Sequence, residues 1–293
     1  MAEPHDSIAD IGVRAGYDAG FLDTAAEVPV PGDDRLTVLD YVHFSVHQDT
    51  GRRLAAITAV NIDGARLRDV ERGDNWRFDD RLPVEYQAGE DLYARNDLDR
   101  GHLVRRRDPV WGDDATARQA NIDTFHYPVC APQAGYFNQS QELWNGLEDH
   151  VLGHARAAGQ RISVFTGCVF ADDDPVYRRE YRIPRQFFKI AAWNRQPALG
   201  TLASTGYLLD QGEGLDLILR PGLRAGEDVP GPGPFRTFQV PVADIAVLTG
   251  LDLGQLAAAD RYRVPAAAQD EGVRGARTAR RWRELEDFDD IRL

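Results

Sequence analysis

The residues best suited to chemistry stand in Asn96-Asp97-Leu98-Asp99-Arg100-Gly101-His102, with Phe137-Asn138-Gln139 and Leu147-Glu148 further on. They offer, in order, a histidine, an uncharged amide and a carboxylate. A neutral imidazole can take a proton from water near neutral pH. An amide oxygen suits a hard Mg²⁺ ion that keeps most of its own waters. Together these are the parts needed to hydrolyse a phosphodiester.

Each residue has a plainer reading beside that one. His102 is set apart from an ordinary structural histidine by its neighbours: Gly101 lets backbone approach a ligand, Arg100 is a phosphate-seeking guanidinium, and Asp99 can orient a ring or a metal shell. Asn138 precedes Gln141 by three residues, which also fits a capping box. Glu148 falls one helical turn after Trp144, at the edge of a core face or on the surface, with Glu142 as a rival. In Glu71-Arg72-Gly73-Asp74-Asn75-Trp76-Arg77, either Arg72 or Arg77 can hold a phosphate bidentately.

The chain of 293 residues is 43% hydrophobic and 28% charged, as expected for a globular protein with a sizeable core. A net charge of −13 argues against a protein that coats nucleic acid indiscriminately. Locally the balance reverses: Leu98 to Arg107 holds Arg100, Arg105, Arg106 and Arg107 against Asp99 alone. Lys189 is the only lysine, so the arginine usage also reflects a compositional skew. Cys130 and Cys168 sit in apolar settings and read as buried free thiols. With no long apolar run and no basic-apolar leader, the expectation is no membrane contact, and a cytoplasmic chain or one exported without a recognisable signal.

The elements that must position these residues follow from periodicity. Residues 1–34 read as an irregular N-terminal arm, with Tyr17, Phe21 and Leu22 pinned to the body, followed by a core domain over 35–262. Strands are predicted over 36–45, 54–62, 161–167, 183–193, 201–208 and 237–241, a long helix over 140–158 stopped by Gly159, and short helices over 242–248 and 253–259. The irregular mixture indicates α+β. Residues 263–293 form a charged C-terminal extension, either a solvated tail or a basic helix that touches nucleic acid.

These motifs resemble those of the DNA/RNA non-specific endonucleases, the endonuclease G-like branch of the ββα-metal or His-Me finger nucleases. The resemblance is carried by Asp99-Arg100-Gly101-His102, Asn61-Ile62-Asp63-Gly64, Pro132-Gln133, Phe137-Asn138-Gln139, Leu147-Glu148 and Thr166-Gly167, and runs from about Tyr17 to Leu251. It implies a central antiparallel sheet with flanking helices, and a ββα-metal (His-Me finger) catalytic motif in which a hairpin carrying His102 packs on the helix after Asn138. It implies His102 as general base, Asn138 as direct ligand of Mg²⁺ (or Mn²⁺), and Glu148 as holder of metal waters. Arg72 is implied on the phosphate, with Arg100 and Arg105 beside the substrate and Asp99 in support. The implied activity is metal-dependent, non-specific endonucleolytic hydrolysis of DNA or RNA, with homodimers common among relatives. The alternatives are a nucleic-acid-binding protein with weakened catalysis, and a toxin or effector nuclease controlled by a protein inhibitor.

Overall fold

The structure is a computed structural model that describes residues 14–30, 35–95, 97–135, 153, 155–178, 180–219, 236–264 and 281–285. Its centre is an eight-stranded sheet, every neighbouring pair antiparallel. The strands are β1 Leu36–Asp40, β2 Phe44–Asp49, β3 Leu54–Asp63, β6 Arg161–Val169, β9 Gln186–Gln196, β10 Thr201–Asp210, β11 Arg236–Val240 and β12 Arg283–Leu285, in that spatial order. The expected α+β class with a central antiparallel sheet is therefore observed.

Both faces of the sheet are covered, which explains why β3 reads as a nearly continuous apolar run. On β3, Val60 and Ile62 enter one core and Ile57 and Ala59 the other. On β9, Phe187 and Ala191 alternate in the same way with Phe188, Ile190 and Ala192. The second core is closed by Leu22 and Ala26 of the N-terminal arm and by the helices Val242–Thr249 and Gly254–Ala258. The first core carries a separate two-stranded hairpin, β4 Leu98–His102 paired with β5 Cys130–Ala134, through Leu98, Leu103, Val104, Cys130 and Ala131, and takes in side chains of the short helix α1 Glu90–Tyr93 and of the small ribbon of β7 Val176–Tyr177 and β8 Tyr181–Arg182. Both cysteines are buried free thiols, as their settings predict.

Three departures from the sequence reading have local causes. The strand expected over 36–45 is two strands, because the chain turns back at Tyr41-Val42-His43. His43 takes a positive φ of 69° there, and its ring stacks on Trp111 with centroids 3.4 Å apart. A helix absent from the sequence reading, α2 Asp114–Asp123, opens on Asp113, whose side chain accepts from the Thr116 amide. Three residues of the charged C-terminal stretch join the sheet as β12, where Arg236 and Glu284 form a two-pronged ion pair and Trp282 donates to Asp244.

The long helix expected over 140–158 falls mostly outside the described residues; residues 155–158 are helical, and Gly159 ends them at φ +59°. Among the described residues no helix is long and apolar enough to cross a membrane.

Candidate active site

His102 ends β4, opposite Cys130 on β5. Strand alternation puts Arg100 on its face of the hairpin and Asp99 and Gly101 on the other. The imidazole is packed by Trp76, with ring centroids 4.9 Å away, and by the edge of Phe125 at 5.5 Å. One ring nitrogen hydrogen-bonds the backbone of Thr124, just past α2. The other, Nε2, is buried and has no partner among the described residues. The Thr124 carbonyl can only accept, so Nδ1 carries the proton and Nε2 keeps its lone pair.

The surroundings hold that ring neutral. Burial lowers its pKa to about 4, reinforced by the positive charges of Arg72 and Arg106 and opposed by the Thr124 bond. The same guanidiniums crowd one another. Burial, then Arg107, Arg72 and Arg105, push Arg106 below the usual arginine range, with Asp69 pulling the other way. Converging cations around a neutral base make a place for an anion.

Arg72 is exposed on the irregular stretch between Leu67 and Arg77. Its charge reaches both His102 and Arg106. The backbone of its rival Arg77 donates to Phe125 and accepts from Tyr127, while the buried Nε of its side chain has no hydrogen-bond partner among the described residues. Arg100 lies over the rings of Tyr93 (5.2 Å), Trp76 and Tyr127, and is paired with Glu90, which also accepts from the Tyr127 hydroxyl at 3.1 Å. Arg105 is half-buried in the same basic segment and acts electrostatically on Arg106. Desolvation raises the Asp99 carboxyl against the pull of Arg100. Behind Gly101 the space a Cβ would need is filled by the Gln133 side chain, 2.1 Å from that position. The hairpin's missing side chain therefore admits a neighbouring glutamine.

Asn138 and Glu148 lie outside the described residues. Among the described residues no three His, Cys, Asp or Glu side chains converge as a metal site.

Several site neighbours were not legible in advance. Trp76, Glu90, Asn121, Thr124 and Phe125 reach the site across 12 to 26 positions of sequence. The cap at Asp113 is the one local signal that could have placed α2, and with it Thr124.

Two resembling motifs serve the frame. Asn61 ties the N-terminal arm down: its Oδ1 accepts from the Asp18 amide at 2.8 Å and its Nδ2 donates to the Asp18 carbonyl and Ser163. Gly64 lies so close to the helical turn before Gly159 that a Cβ would stand 2.0 Å from the Ala155 carbonyl oxygen.

Residues 23–260 match the family described as DNA/RNA non-specific endonuclease. The chain belongs to that family. Among curated relatives of this chain, the uncharacterized protein y4fB of Sinorhizobium fredii is 39% identical over 280 residues, covering 87% of this chain and 41% of that protein. Mitochondrial endonuclease G of Homo sapiens is 26% identical over 199 residues, covering 64% of this chain and 59% of that protein. The chain thus spans less than two thirds of the length of these two relatives. A solved complex of EndoG with EndoGI, described as showing the mechanism of EndoG inhibition, has a TM-score of 0.55 at 19% identity, covering 83% of this chain and 92% of that one. That likeness is one of fold.

Proposed function

We propose that this chain is a metal-dependent endonuclease that hydrolyses the phosphodiester backbone of DNA or RNA, with His102 as general base. The observation that carries the reading is the His102 ring: tethered through Nδ1 to Thr124, held neutral, with a buried and unpartnered Nε2 amid converging arginines. Family membership and the resemblance to endonuclease G point the same way.

In this mechanism Nε2 accepts the proton of the attacking water, and Nδ1–H stays on the Thr124 carbonyl throughout. Arg72 takes the phosphate's charge as it grows on the equatorial oxygens. Arg100, released from Glu90 or shared with it, meets the same strand, and Arg105 extends the basic lining. Asp99, behind the strand, supports the hairpin. Asn138 would hold a Mg²⁺ or Mn²⁺ ion with Glu148 on its waters, and the bound ion would supply charge to stabilise the leaving oxygen. Contacts to phosphate carry no base information, so cleavage has little sequence preference. The EndoG complex adds a protein inhibitor to the partners proposed for this chain, alongside a second copy of itself.

The decisive assay is nicking of supercoiled plasmid, with RNA in parallel, in Mg²⁺ and in EDTA. Cleavage that requires the dication and vanishes in His102→Ala supports the reading. A folded wild-type chain that binds DNA but never cuts it would favour the binding-protein alternative.

A further inference from the structure

Arg72 stands on a stretch, residues 68–76, that has no regular secondary structure. Two side chains fasten its middle. Arg106 Nη1 donates to the Val70 carbonyl at 3.0 Å and to Asn121 Oδ1 at 2.9 Å. Asn121 Nδ2 in turn donates to the Glu71 carbonyl at 3.4 Å. The two backbone carbonyls immediately before Arg72 are thereby tied to the end of α2. Asn121 is only 5% exposed, and its own carbonyl accepts from Thr124 Oγ1 at 2.8 Å. Thr124 is also the residue whose backbone holds the His102 ring. One turn of one helix thus anchors both the imidazole and the loop that presents the guanidinium.

We propose that Asn121 and Arg106 are positioning residues, a clamp that sets Arg72 at a fixed place relative to His102. The proposal rests on the reading of His102 as base and Arg72 as phosphate holder. Physically, an arginine on an unfastened loop visits many positions, and only a few of them place its fork against the phosphate during attack. Displacement by about 1 Å can cost as much as a hundredfold in rate. Arg106 serves this end with a neutral partner, Asn121, so the clamp holds without cancelling the local positive charge that an anion requires.

The test uses the full chain with Mg²⁺ and plasmid DNA. Asn121→Ala and Arg106→Gln are measured alone and on an Arg72→Ala background, with kcat and KM separated. Each single variant is expected to lose roughly tenfold to a hundredfold in kcat. On the Arg72→Ala background neither should lose more than about twofold further, because the group being positioned is already gone. Hydrogen exchange in metal-free protein should quicken across residues 69–74 in both variants. If Asn121→Ala fails to fold, Arg106→Gln decides alone. Losses that multiply undiminished on the Arg72→Ala background, or unchanged kcat and exchange in the single variants, overturn the clamp. An Arg72→Ala chain as active as wild type would instead overturn the reading of Arg72 itself, and the clamp would fall with it.

Discussion

The backbone of Thr124 holds one nitrogen of the His102 ring and leaves the other, Nε2, buried without a partner among the described residues. That asymmetry assigns the tautomer, and with it the side of the ring on which a proton can be accepted. His102→Ala should lower plasmid cleavage by about 10²- to 10⁴-fold, the usual worth of a general base, with unchanged circular dichroism. A variant that keeps full activity would remove the base from the mechanism.

Acid should weaken the fold before it reaches the carboxylates. Burial lowers the pKa of His43, His47, His102 and His126. Each binds fewer protons folded than unfolded below about pH 6.5, so its contribution is complete above that pH and is lost as pH falls through its folded value. For His102 the window closes at about 4. Urea midpoints should be flat from pH 8 to 7 and fall steadily from 6.5 to 4. In His102→Gln the fall should be shallower. Below that window Asp79, held far beneath the usual carboxylate range despite its burial by bonds from Arg81 and Tyr41, adds its own loss.

The Asn61-Ile62-Asp63-Gly64 motif should behave as framework. Gly64→Ala forces a methyl toward the Ala155 carbonyl oxygen, and such overpacking costs about 1–3 kcal/mol. Asn61→Ala strips two bonds between the arm and the sheet and a third to Ser163 within the sheet, for a loss of about 1–3 kcal/mol. Both should appear as lower denaturant midpoints, with kcat per folded molecule kept. A loss of kcat at full stability would mean that the motif takes part in the chemistry.

The thiols should be silent in the native state. Burial pushes Cys130 up to about 12 and Cys168 well above its ordinary value, and neither is exposed. A thiol reagent at pH 8 should label neither before unfolding and both after it. Rapid labelling of the folded chain would show that the hairpin opens away from the sheet.

Removing the ion should separate catalysis from folding. EDTA, or Asn138→Ala in saturating Mg²⁺, should abolish cleavage and leave the melting temperature nearly unchanged, since both described cores are built from apolar side chains. A large fall in melting temperature would make the ion structural.

What lay within the sequence was what is local. The tetrad Asp99-Arg100-Gly101-His102 brings a guanidinium and an imidazole two positions apart, and a strand's pleat places such residues on one face without help from the rest of the chain. The apolar runs that become β3, β6 and β9 were equally legible, because burial on both faces leaves no polar alternation to confuse them. Periodicity could not show the turn at His43, whose ring stacks on Trp111, 68 residues away. Nor could it separate Arg72 from Arg77, since both are charged residues in one polar stretch. The structure shows what sequence could not: the carbonyls before Arg72 are held by Arg106 and Asn121, whereas the backbone of Arg77 itself pairs with Phe125 and Tyr127. The sequence by itself determined the chemical groups and the strands that carry them. Only the tertiary structure decided the state of His102, because a ring's tautomer and charge are set by a distant carbonyl, by exclusion of water, and by cations that approach only when the chain is folded.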